Sequence, residues 1–342
     1  MTAMTLPIEK DAKEFTRMDQ NAPIIIYTGP HENNNASRLE VMWGDIANFA
    51  RKNPVGNIVL FVENADPQGV RTADEITRFQ SEGVLPSVAM QLAICNFTRN
   101  DVSRLNDRWR EVENDSSYTF HRAIVAGVRY LEQAFPGRIQ VATERTSVTE
   151  YPRELEEEAI AHFFYKLLEE GNVDEAISLF ESNIKQNARA TVLLDHELAT
   201  QLGNLASLPG VIGVFTRIGS AHLLDRNLIS AKYNCQVVND KFSDGTDVTN
   251  MPLEILMREM MTAEVPLARI QQLTFAQWVY KRTLSRWHRI RPYDAEMYAQ
   301  EDATSLIEML SAVEKMEIFL HDIRLYGIKK ALENIGFDKK TN

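Results

Sequence analysis

The chain has two cysteines in 342 residues, Cys95 and Cys235. They are far apart and form no metal-binding or redox spacing, so both read as buried small hydrophobes of a reducing compartment. No apolar run has the length of a membrane helix, which argues against a membrane partner. The N-terminal stretch MTAMTLPIEKDAKEF lacks the apolar core of an export signal and carries acids that transit peptides avoid. The expected location is cytoplasmic. No glycine-rich phosphate loop, dinucleotide fingerprint, Gly-x-Ser-x-Gly turn or His-Glu-x-x-His helix is present, which removes the common nucleotide-binding, serine-hydrolase and zincin readings. Positive charge is also short: 37 basic against 48 acidic residues give a net charge of −11. Non-specific nucleic-acid binding by the chain as a whole is therefore disfavoured.

What remains is an ordinary globular composition, 44% hydrophobic and 25% charged. Pro23 to Thr28 reads as a short buried strand, ended by Gly29-Pro30 and followed by His31, Glu32 and three Asn. A helix over about 37–51 and a second apolar strand, 58–62, complete a βαβ unit, which implies parallel strands. Parallel neighbours end on the same edge, so Glu63 is expected beside His31. Further strands are expected at 139–142, 211–215 and 235–238. The strand at 211–215 runs into Gly219-Ser220-Ala221-His222, a small-residue turn ending in a second histidine. In an open α/β sheet, ligands bind at the carboxyl ends of the strands. His31, Glu63 and His222 therefore form a candidate two-His, one-Glu site.

The expected fold class is α/β: a mostly parallel sheet flanked by helices, with a helical insertion and a helical C-terminal region. Residues 1–22 read as an arm and 23–250 as the core, with helical stretches at about 71–135 and 151–207. Within the latter, helices are expected over 174–186 and 188–206. Residues 251–342 form the C-terminal region, with helices over 252–263, about 266–288 and one long helix over about 303–335. The apolar surface of that last helix must pack on the core, on a partner or on its copy in a homodimer. Val265 to Tyr293 contains no acid and carries Arg269, Lys281, Arg282, Arg286, Arg289 and Arg291, interleaved with Trp278, Tyr280 and Trp287. This stretch is the one place where a nucleic-acid partner could engage; otherwise it pairs with the acid-rich remainder.

The order of these features resembles the superfamily that includes erythromycin esterase, the ChaN haem-binding lipoproteins and the TraB/Tiki proteins. Its pattern is a strand ending in Gly-x-x-His, a strand ending in Glu, a helical insertion with an Arg-bearing helix, and a late strand ending in a second Gly-x-x-His. Residues 23–240 follow that order. Gly219–His222 fits as written, Glu63 fits the acid and Arg189 occupies the Arg position. The first motif departs, because Gly29 stands one place late and is followed by Pro30. The resemblance implies a hydrolase acting on a small-molecule ester or a peptide. His31, Glu63 and His222 would hold a divalent ion, zinc or manganese, or act as base and orienter, and Arg189 would neutralise an anionic group. Its alternative is a non-catalytic module binding haem or another anionic ligand, or a protein partner, which the displaced Gly29 favours.

Overall fold

The computed structural model describes residues 21–29, 36–62, 69–95, 97, 102–114, 119–145, 163–219, 222–240, 251–291 and 295–337. His31, Glu63 and most of the N-terminal arm lie outside the described residues. The chain divides into two compact units. The first comprises Met1–Ser147 and Leu194–Asp240, the second Val148–Leu193 and Lys241–Asn342.

The first unit is built on a five-stranded sheet in the order β3-β2-β4-β1-β5, with every pairing parallel. Its strands are β1 (Ile24–Thr28), β2 (Asn57–Val62), β3 (Ile139–Thr143), β4 (Val211–Ile218) and β5 (Cys235–Asn239). The expected α/β class is thus present. β1 and β2 read as unbroken apolar runs because both their faces are covered, and their residues are buried almost throughout. β3 and β5 are the edges and carry partly exposed residues. Alternation divides the side chains. Ile25, Tyr27, Ile58, Leu60, Ile139, Val141 and Phe215 join Leu39, Met42, Ile46 and Trp43 of α1 (Ala36–Lys52) and Ile124, Val128 and Leu131 of α5 (Thr119–Ala134) in one core. Phe79 of α2 (Gly69–Ser81), Leu92 of α3 (Pro86–Ile94) and Leu105 of α4 (Val102–Asn114) complete it. Ile24, Ile26, Val59, Phe61 and Val214 are buried on the opposite face.

The sheet order corrects one expectation. β1 and β2 are parallel but are not neighbours, because β4 lies between them. The βαβ connection fixes strand direction and residue periodicity reports burial, but neither carries information on the order in which strands are laid down. At about 4.8 Å per strand, the ends of β1 and β2 are roughly 10 Å apart. Ile26 and Phe61 flank Thr216 from either side, and Tyr27 and Val62 lie beside Arg217. The elements that end next to β1 are therefore β4 and β5.

The second unit is helical: α6 (163–169), the first part of α7 (Val173–Ala206), α9 (Pro252–Thr262), α10 (Leu267–Ile290), α11 (Ala295–Met309) and α12 (Val313–Asn334). α7 is a single 34-residue helix, where two were expected. No Gly or Pro occurs between Val173 and Leu202, so nothing stops it. The expected long C-terminal helix is instead two, separated at Leu310–Ala312, where Ser311 Oγ bonds the Glu308 carbonyl at 2.7 Å. α12 also kinks at Gly327, whose φ is +76°. A Cβ there would lie 2.1 Å from the Glu169 carbonyl oxygen, so only glycine allows this approach. Phe164, Phe180, Phe275, Phe319 and Ile323 lie in its main core.

Candidate functional site

Chain direction picks out one crevice. From β1 the chain passes through α1 to β2, toward one edge of the sheet. From β4 it passes through α8 (Leu224–Ser230) to β5, toward the other. Adjacent β1 and β4 therefore send their connections in opposite directions, and their carboxyl ends flank the topological switch point.

His222 sits just past that end of β4 and is 8% exposed. Its Nδ1 lies 2.5 Å from Asp195 Oδ1. The other oxygen, Asp195 Oδ2, accepts the Leu223 N–H at 2.8 Å. Asp195 comes from the part of α7 that belongs to the sheet unit and is 1% exposed. A buried carboxylate needs such partners, since isolated it could not stay charged. With Asp195 ionised, Nδ1 carries the proton, which fixes the tautomer in which Nε2 bears the lone pair. The His222 N–H donates to Gly219 O at 3.3 Å.

A second buried pair stands at the ends of β4 and β5. Arg217, the penultimate residue of β4, is 4% exposed, and Asp240, next after β5, is 8% exposed. Nη1 bonds Oδ1 at 2.9 Å and Nη2 bonds Oδ2 at 2.6 Å, a two-pronged geometry. The Asp240 N–H donates to Thr28 O at 2.9 Å, and Thr28 Oγ1 donates to Asn239 Oδ1 at 2.9 Å. These bonds tie the ends of β1, β4 and β5 together. On the far side of β2, Glu144 follows β3 and is 5% exposed. Arg145 next to it pairs with Asp74 at 2.7 Å, and its backbone is held by the Gln201 amide at 2.8 and 2.6 Å.

Of the four residues expected at the site, His222 lies at the switch point and His31 and Glu63 lie outside the described residues. Arg189 belongs to the second unit, where it is exposed on α7 and lines a pocket with Lys185, Leu193, Met260 and Val265. Sequence reasoning missed Asp195, Arg217 and Asp240. Signals for two of them existed. Asp195 interrupts the buried stripe Leu194, Leu198 and Leu202 of α7, and Arg217 interrupts the apolar run of β4. A charge in such a stripe must have a partner. Among the described residues, no group of three or more His, Cys, Asp or Glu is arranged to hold a metal ion. No family model, curated protein or solved structure matches this chain.

Proposed function

We propose that the chain is a hydrolase-like enzyme whose general base is His222, held in its tautomer by Asp195. The observation that carries this reading is the buried 2.5 Å Nδ1–Oδ1 contact at the carboxyl end of β4, beside the switch point. In the proposed step, Nε2 of His222 takes a proton from a water as its oxygen attacks an ester or peptide carbonyl. The imidazolium that forms is stabilised by the Asp195 carboxylate, which itself stays ionised. His222 then returns the proton to the leaving oxygen or nitrogen, so the base is regenerated. The resemblance to the erythromycin esterase, ChaN and TraB/Tiki superfamily adds His31 and Glu63, which follow β1 and β2 in the chain, as the further site residues. In the alternative in which a divalent ion is held, His31, Glu63 and His222 would be its ligands and it would supply Lewis-acid activation of the water, His222 then acting as ligand in place of base.

The test is hydrolysis of a panel of activated esters and fluorogenic peptides by the wild type, His222→Gln and Asp195→Asn. A rate that falls by about a thousandfold or more in both variants, with unchanged circular dichroism, is expected for an oriented base. Equal rates for wild type and His222→Gln on every substrate would overturn the reading.

A further inference from the structure

We propose that the C-terminal half of α10 binds the phosphate backbone of a nucleic acid through Arg282, Arg286 and Arg289, extended by Arg291. This inference is independent of the His222 site. Arg282, Arg286 and Arg289 recur at helical spacings of four and three, so they share one face of α10 over about 10 Å of its length at 1.5 Å per residue. Arg282, Arg289 and Arg291 are exposed and Arg286 half-buried. None of Arg282, Arg286 and Arg289 makes a salt bridge among the described residues. Two carboxylates lie within electrostatic reach, Glu333 of Arg282 and Asp302 of Arg286, and each also has a closer partner. Glu333 is held by Lys330 at 2.8 Å, and Asp302 accepts the Trp287 Nε1–H at 2.9 Å.

Three of these arginines also lie against aromatic rings. Arg282 lies 5.0 Å from the Trp278 ring, Arg286 5.9 Å from Trp287 and Arg291 5.5 Å from Tyr298. Trp287 and Tyr298 are themselves stacked at 4.6 Å. Aromatic faces thus hold Arg282, Arg286 and Arg291 without neutralising them. Arginine rather than lysine dominates, which suits two-pronged recognition of phosphate. A membrane surface fits less well, because the apolar face of α10 (Leu273, Phe275, Ala276, Val279 and Leu284) is buried and cannot insert.

The experiment is fluorescence anisotropy of labelled mixed-sequence oligonucleotides, single-stranded and duplex, titrated with the full chain at about 50 mM salt. Micromolar binding is expected, with log K falling against log salt at a slope of roughly −3 for about four phosphates neutralised. The Arg282→Glu/Arg286→Glu/Arg289→Glu variant should bind at least tenfold more weakly with unchanged circular dichroism, although it should melt somewhat earlier, because Arg286 and Arg282 lie within electrostatic reach of Asp302 and Glu333. Arg282→Gln/Arg286→Gln/Arg289→Gln, without reversed charge, should fall between them. Absence of binding at low salt, or equal binding by the charge-reversed variant, would overturn the proposal. So would competition by polyglutamate or anionic vesicles as effective as unlabelled oligonucleotide at matched charge, which would assign the face to an acidic protein or a lipid surface.

Discussion

Asp240 occupies the space that a side chain on Gly29 would need. A Cβ built on Gly29 would lie 2.0 Å from Asp240 Oδ2 and 2.8 Å from Arg217 Nη2. The glycine at this position is therefore a condition of the buried Arg217–Asp240 pair. It also accounts physically for a glycine standing where the Gly-x-x-His pattern does not require one. Gly29→Ala must displace a buried carboxylate from its two bonds to Arg217. We expect it to lower stability by roughly 3 kcal/mol, between ordinary overpacking and outright loss of a buried pair. Urea denaturation would check this, and a change under about 0.5 kcal/mol would show that the pair gives way easily.

The same pair predicts a non-additive pattern. Arg217→Met leaves Asp240 buried without its cation, and Asp240→Leu leaves Arg217 without its anion. Each should cost roughly 3–5 kcal/mol. The double variant removes both charges and fills the space with apolar atoms, so it should be more stable than either single variant. A double variant that loses the sum of the two single effects would mean that the residues act through other neighbours. Chemical denaturation of the four proteins is sufficient.

How far the sequence could be read follows from what periodicity encodes. All five strands were visible, because β1, β2 and β4 are apolar runs in a parallel sheet and alternation or a short apolar segment marks the edges. Strand order was not visible. β4 returns to the middle of the sheet after a long helical excursion, and no local pattern records where a returning strand inserts. His222 was legible as the end of a small-residue turn. Its partner was not, because Asp195 is 27 residues upstream on a helix and is joined to it only by the fold. The division of α7 between two units was equally hidden, since its helical pattern is continuous through the boundary at Leu193–Leu194. In the C-terminal region, the stop at Leu310–Ala312 has no Gly or Pro to announce it, whereas the kink at Gly327 does.

Alkaline pH should weaken the fold through its buried phenols. Burial pushes the Tyr165 hydroxyl up to about 12 from its ordinary 10.0, against a smaller opposing effect of its hydrogen bond with Gln277. Below pH 10 the phenol is protonated in both states and stability is unaffected. Between about pH 10 and 12 the unfolded chain releases this proton and the folded chain keeps it. Stability therefore falls across that window, by roughly 2–3 kcal/mol for this group. Tyr27 is raised as well, by burial first and then by Asp45, and acts in the same direction. Tyr165→Phe should flatten the fall between pH 10 and 12 without abolishing it. An identical pH profile for wild type and Tyr165→Phe would sink the assignment.

Thiol chemistry gives a test confined to the sheet unit. Cys235 opens β5 and is half-buried; burial, and secondarily the Asp225 carboxylate, push its thiol up to about 11 from 9.0. The thiolate is the reactive form and at pH 8 its fraction at Cys235 is roughly a hundredfold below that of an unperturbed thiol, so alkylation should be at least about tenfold slower, the higher nucleophilicity of the more basic thiolate offsetting part of the loss. Cys95 is raised too, chiefly by burial, so neither cysteine should react quickly in the folded protein. Mass spectrometry after timed iodoacetamide treatment resolves the two sites. The rate at Cys235 should climb about tenfold per pH unit from 8 to 10, because its midpoint lies above that range. Asp225→Asn removes the repulsion and should speed the reaction at Cys235 while leaving Cys95 unchanged. A rate at Cys235 that levels off near pH 9 would place its thiol in ordinary solvent, and β5 would then be a looser edge than its pairing with β1 implies.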